Sequence, residues 1–267
     1  MSCFLPPEIL DIVVDHLHED PVTLKKCCVV SKSWVPRTRR HIFERVNFSA
    51  RRPSPAMWAM KFPDPSNSPA HYTRTLTFAG INNIAADADV CRWIRAFHNV
   101  VHLRVTMAVG DWVVCGQMTL VPFYGLSPAV RSIYLECVYA PPSEVFDLLW
   151  SFPLLRDIEL ISCNLVSGAG TWTTPLTSPP LTGSLELHGW LAIVPRFLDL
   201  PNGLNFTKIT SGCSTGADFK LGMDLVSACS GTLEYLNIVD CFPGVFPSAL
   251  VSGPYITATF SPGHSLV

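Results

Sequence analysis

The sequence predicts a protein of the α/β or α+β class, with three short N-terminal helices followed by β/α units on a parallel sheet. Three observations carry that expectation. The opening stretch shows the apolar periodicity of helices. Beyond residue 71, one six-residue strand pattern recurs every 24 to 30 residues. Between its recurrences lie amphipathic stretches long enough for one short helix each. With 267 residues, 48% of them apolar, there is material for one good core, or for a small domain beside a larger one.

The first helix is expected over residues 5–17, LPPEILDIVVDHL. At 100° per residue, Ile9, Leu10, Ile12, Val13, Val14 and Leu17 spread over an arc of about 200°, whereas one core needs a stripe of only about 100°. The excess implies that one side packs on helices around Leu24, Cys28 and Trp34 while the other waits for a partner. Part of the Ile9, Ile12 and Val13 arc is therefore expected to be exposed. Asp20-Pro21 marks a second start, an N-cap followed by proline, and VTLKKCCVV gives an apolar face through Leu24, Cys27, Cys28 and Val30. A third helix begins near Ser31 or Ser33, tolerates Pro36 in its first turn and runs through TRRHIFERV.

These residues resemble an F-box, most closely the form common in fungal proteins. The likeness covers residues 1–48 as a domain, with its features between about 4 and 48. It rests on Leu5-Pro6-Pro7-Glu8-Ile9-Leu10, on Val30-Ser31-Lys32-Ser33-Trp34 and on the Phe43/Val46 exit. The resemblance implies that Leu5, Pro6, Ile9, Ile12, Val13, Val29 and Trp34 bind a Skp-type adaptor, which links such proteins to a cullin–RING ubiquitin ligase.

A proline-rich connector over 49–71 reads as irregular, although Met57, Trp58, Met60 and Phe62 argue that it packs against something. After it the template apolar-x-x-apolar-x-apolar closes at Phe78, Val105, Leu135, Leu160, Leu187, Ser211 and Ile238. Ser211 and Thr182 are its weak core members. The helical stretches between are DADVCRWIRAF, PSEVFDLLWSF, AIVPRFLDL and DFKLGMDLVSAC. This spacing is at or near that of leucine-rich repeats, whose unit holds one strand, one turn and one short helix. Their Asn-or-Cys turn position is occupied by Cys163 and Cys241, where a buried thiol can satisfy turn backbone. Residues 72–267 thus resemble a degenerate leucine-rich-repeat solenoid with a parallel sheet, and YITATF is an eighth strand or a cap.

Composition narrows the functions. A net charge of −2 does not suit a nucleic-acid binder, even though residues 1–52 hold nine Lys/Arg against six Asp/Glu. The run Arg37, Arg39, Arg40 and Arg45 has no aromatic platform beside it and reads as a solvated face. No basic region precedes a long apolar run at the N-terminus, and no 18-residue apolar stretch occurs, so neither a secretory route nor a membrane partner is expected. The ten cysteines are then reduced thiols of a cytoplasmic and/or nuclear protein. No Cys-x-x-Cys occurs, and His98 and His102 lack the Glu of a zincin helix, so no metal and no cofactor is expected.

Gly212-Cys213-Ser214-Thr215-Gly216 fits the G-x-S-x-G of a nucleophile elbow, with Asp240 and His264 following in hydrolase order. No oxyanion segment appears upstream, and small residues suit a repeat turn for steric reasons. The favoured reading is a non-enzymatic substrate-recognition subunit of a Skp–cullin–F-box ubiquitin ligase. An F-box-derived interaction scaffold and a serine hydrolase are the alternatives. If the strands hold the expected register, Arg104, Tyr134, Glu136, Asp157, Glu159, Glu186 and Tyr235 face outward, together with His102, His188, Lys208 and Asn237. The gathering of Glu136, Asp157, Glu159 and Glu186 favours a basic or amide-rich segment of a protein substrate.

Overall fold

The computed structural model describes residues 6–49, 54–80, 93–107, 119–165, 179–189, 193–213, 215–239 and 255–259. The chain opens with α1 (Pro7–His16), α2 (Pro21–Val30) and α3 (Val35–Glu44), the last preceded by a 3₁₀ turn over Lys32–Trp34. Asp20 caps α2, its Oδ1 accepting from the amides of Val22 and Thr23, both at 3.0 Å. Val14, Leu24 and Cys27 are buried where these helices meet. Two residues expected on the packed face of α2 behave differently. Cys28 is half-buried, its Sγ 2.9 Å from Thr38 Oγ1. Val30 closes the helix, just before the extended Ser31 turns the chain away, and is 68% exposed.

One polar cluster ties α1 to α3. The Arg37 guanidinium donates twice to the Asp15 carboxylate, and His41 Nε2 donates to Asp15 Oδ1 at 2.7 Å. The Arg37 hydrogen bond holds the Asp15 carboxyl well below the usual carboxylate range. A carboxyl depressed by folding stabilises fully above its unfolded value near 4, and that contribution is lost as pH falls below it. Asp15→Asn is expected to cost only about 1 kcal/mol at neutral pH, because the pair is partly solvated. The gap between variant and native chain should narrow on acidification below about pH 4, which thermal denaturation across pH would read.

α3 stops at Glu44, two residues short of the expected Val46, because the chain extends there into β1 (Arg45–Ser49). Phe43, Val46 and Phe48 fit the strand template, so the helical unit runs directly into the sheet. The described part of the connector is helical rather than irregular: α4 (Pro55–Lys61) and two 3₁₀ turns, Pro65–Asn67 and Pro69–Tyr72, while residues 50–53 lie outside the described residues. Trp58 of α4 is buried against Phe43, Phe48, Phe62 and Phe97, with ring centroids 4.8 to 5.9 Å apart, while Met57 and Met60 stay exposed.

The remaining elements follow in order: β2 (Thr75–Ala79), β3 (His102–Thr106), β4 (Ser132–Glu136), β5 (Tyr139–Ala140), α5 (Pro142–Trp150), β6 (Asp157–Ile161) and β7 (Asn164–Leu165). Then come β8 (Leu181–His188), α6 (Val194–Leu198), β9 (Leu204–Gly212), α7 (Gly216–Ala228), β10 (Tyr235–Val239) and β11 (Tyr255–Thr259). Three of the expected inter-strand helices thus form as α5, α6 and α7. Of the stretch before β3, residues 87–92 lie outside the described residues, and 93–97 turn into the core through Trp93, Ile94 and Phe97.

The main sheet runs β1-β2-β3-β4-β6-β8-β9-β10-β11, its first eight strands parallel and β11 antiparallel to β10, with β5 and β7 a separate parallel pair. Phe78, Val105, Leu135, Leu160, Leu187, Ser211 and Ile238 stand side by side in one row, to which β1 adds Phe48. Leu76, Leu103, Ile133, Ile158, Leu185 and Ile209 form the neighbouring buried row. Both rows face Phe146, Phe197 and Leu225 of the helices, and no helix among the described residues covers the other face of the sheet. At one position the template misleads. A bulge at Gly183/Ser184 puts Leu181 in the core and leaves Thr182 exposed.

The residue after the strand adopts positive φ in four units: Gly80, Cys137, Ser162 and Gly189. This turn aims an amide across to the next unit; Cys137 N donates to Ile161 O at 2.9 Å and Gly80 N to Thr106 O at 2.7 Å. Cys163 Sγ lies 3.3 Å from both Leu135 O and Ile161 O, which share its single S–H as acceptors, the role expected of a turn thiol. Burial pushes that thiol up to about 12, so it stays a protonated donor. Cys241 lies outside the described residues.

Candidate functional site

Two surfaces expose what a fold normally covers or neutralises. On α1, Ile9, Ile12 and Val13 are 44%, 52% and 43% exposed, at i, i+3 and i+4 spacing that puts them on one helix face. Val14 is buried on the opposite side. At the end of α2, Val29 is 85% exposed. Pro6 is exposed and Trp34 half-buried, while Leu5 lies outside the described residues. No helix among the described residues is long and apolar enough to cross a membrane.

The open sheet face is the second surface. Register places Thr75, His102, Ser132, Asp157, Ser184, Lys208 and Tyr235 in one row, and Thr77, Arg104, Tyr134, Glu159, Glu186, Thr210 and Asn237 in the next. Glu136, Ile161, His188 and Gly212 begin a third. Neighbours within a row are about 4.8 Å apart.

The acidic residues separate by what they meet there. Arg104 stacks on Tyr134, its guanidinium carbon 3.7 Å from the ring centroid, and approaches Glu136 at 3.9 Å. Tyr134 Oη donates to Glu136 Oε2 at 3.0 Å, so Glu136 is compensated. His188 Nε2 donates to Glu186 Oε1 at 2.8 Å, and Ser184 Oγ donates to Asp157 Oδ1 at 2.6 Å. Glu159 makes no hydrogen bond or ion pair among the described residues. Burial first, and the adjacent Glu186 charge second, raise its carboxyl above the ordinary value.

No family model matches this sequence, and no curated protein does.

The sheet face itself holds a depression of about 230 Å³ over the middle strands, lined by Asp157, Glu159, Glu186, Lys208 and Thr210 among others. Three of its residues, Ser132, Ser184 and Thr210, were not singled out from sequence. The signal was present, because they occupy the same template positions as Asp157 and Glu159. A larger depression of about 370 Å³ lies beside α2 and α3. Its histidines already meet acids of the chain, His18 with Glu19 at 3.5 Å and His41 with Asp15 at 2.7 Å. The smaller one is therefore the better site, since its carboxylates outnumber the cations that reach them.

Ser214, Asp240 and His264 lie outside the described residues. Gly212 ends β9, and Thr215 caps α7, its Oγ1 accepting from Asp218 N at 3.1 Å. A Cβ at Gly212 would come within 2.5 Å of His188 Nδ1, so this glycine makes room for the imidazole that holds Glu186. Among the described residues no group of three or more His, Cys, Asp or Glu side chains is arranged to hold a metal ion.

Proposed function

We propose that the chain is a substrate-recognition subunit of a Skp–cullin–F-box type ubiquitin ligase. In this reading α1 to α3 are the F-box, the β/α units are degenerate leucine-rich repeats, and the open sheet face binds a target protein with basic or amide-rich segments. The observation that carries it is the exposed face of Ile9, Ile12 and Val13, on a helix whose other side is already packed. Exposed aliphatic side chains at helical spacing suit a partner's groove. The mechanism is proximity: holding a target beside a partner enzyme raises its effective concentration without chemistry in this chain.

Recombinant Skp-type adaptor is expected to co-purify with the full chain. Leu5→Ala/Pro6→Ala should abolish the complex, and Ile9→Asp/Ile12→Asp should do so without lowering thermal stability, because both isoleucines are solvated in the free chain. A well-folded native chain that retains no adaptor would favour the scaffold reading, in which the repeats act alone.

A further inference from the structure

Glu159 and Glu186 are direct partners on adjacent parallel strands, which sets two like charges about 4.8 Å apart at their backbones. Asp157 lies two residues before Glu159 on the same face. Side-by-side like charges in a sheet destabilise it unless something neutralises them. His188 hydrogen-bonds Glu186, whereas Glu159 feels Arg104 and His188 only through their field and has no hydrogen bond or ion pair among the described residues. The cation lining the depression does not serve: Lys208 places its Nζ 5.3 Å from the Tyr235 ring centroid and pairs with no carboxylate among the described residues. Arg104 is committed to Tyr134 and Glu136.

A second observation is independent of the acids. Thr210, in register with Glu186 on the next strand, is only 7% exposed and lines the same depression. Its hydroxyl has no hydrogen-bond partner among the described residues. Its oxygen is not closed off from solvent, so it can accept from a donor entering from the open side.

We propose that this depression receives the cationic head group of one lysine or arginine side chain from a bound protein segment. Glu159 would take the charge, Asp157 and Glu186 would flank it, and the Thr210 hydroxyl would accept a further N–H. Ammonium and guanidinium groups supply several N–H donors on one positive centre, which matches acceptors spread over three strands. The inference rests on reading the sheet face as the target-binding face, and names the chemistry that face selects.

The test is fluorescence anisotropy of the full chain with labelled hexa-arginine, hexa-lysine and hexa-citrulline. The two cationic peptides should bind and the citrulline peptide should not. Glu159→Gln and Glu186→Gln should each weaken binding about tenfold or more. Asp224→Asn, on the exposed side of α7, should leave it unchanged. Glu159→Gln should also melt at or above the native temperature, since burial and the adjacent Glu186 disfavour the charge it removes, so its lost affinity cannot be misfolding. No peptide binding, or equal loss with Asp224→Asn, overturns the proposal. These outcomes are separate from adaptor co-purification: failure at the sheet with the adaptor complex intact sinks only the pocket, and the reverse sinks only the ligase reading.

Discussion

Gly183→Ala is expected to destabilise the protein by about 3–5 kcal/mol, enough to lower the melting temperature by about 10 °C. Gly183 has φ +96°, and a Cβ there would lie 2.1 Å from the Arg156 carbonyl oxygen and 2.8 Å from its carbon. Both atoms are backbone, so no side chain can swing aside. The Arg156 oxygen is also fixed, accepting from Ser184 N at 2.6 Å. The bulge that needs this glycine sets the register of β8 against β9: Gly183 pairs with Phe206, yet Ser184 pairs with Lys208. Losing it would slip the strand by one residue, turning Leu185 and Leu187 out of the core and Glu186 in. Gly203→Ala is the control, with φ +70° and nothing within 4 Å of the added Cβ. It should cost only the 1–2 kcal/mol or so of a left-handed backbone. Urea denaturation of both variants decides the matter: equal losses would mean that the clash with Arg156 does not set the cost.

That bulge also marks where reading the sequence stops being enough. The strand template identified the buried row from Phe78 to Ile238 because period-2 alternation and fixed spacing are local properties. It placed Thr182 in the core because nothing local distinguishes a bulged strand from a regular one, apart from the glycine itself. The strand at Arg45–Ser49 escaped for the opposite reason. Its Val46 and Phe48 fit the template, but the basic run before them continues a helical pattern, and only pairing with Thr75–Ala79 decides the end of α3. On the open face, alternation gave the side of each residue but not its neighbours. Whether Glu136 or Glu159 is neutralised depends on which residue stands in register on the next strand. Arg104 comes within 3.9 Å of Glu136, but acts on Glu159 only through its field and forms no ion pair with it. The depth of Thr210 was equally illegible, since burial on an open face comes from the neighbours' bulk rather than from threonine's own polarity.

Phe197→Ala should be the most damaging side-chain truncation in the second half of the sheet, at about 3–5 kcal/mol. Phe197 is fully buried and meets Phe146 of α5 edge-on at 5.1 Å and Phe206 of β9 at 6.2 Å, linking two helices to one strand. α6 has five residues, too few to hold a helix by propensity, so its order comes from burying Val194 and Phe197. Truncation therefore removes both the transfer energy of the ring and the anchor of the helix. Phe197→Leu keeps most of the volume and should cost about 1–2 kcal/mol. Tyr134→Ala, on the open face, forfeits the Arg104 stacking and should cost about 1 kcal/mol or less. The ordering of these three in urea denaturation separates a one-sided core from a sheet packed on both faces. If Tyr134→Ala proves as costly as Phe197→Ala, the open face is structural, and it is not free to bind a target.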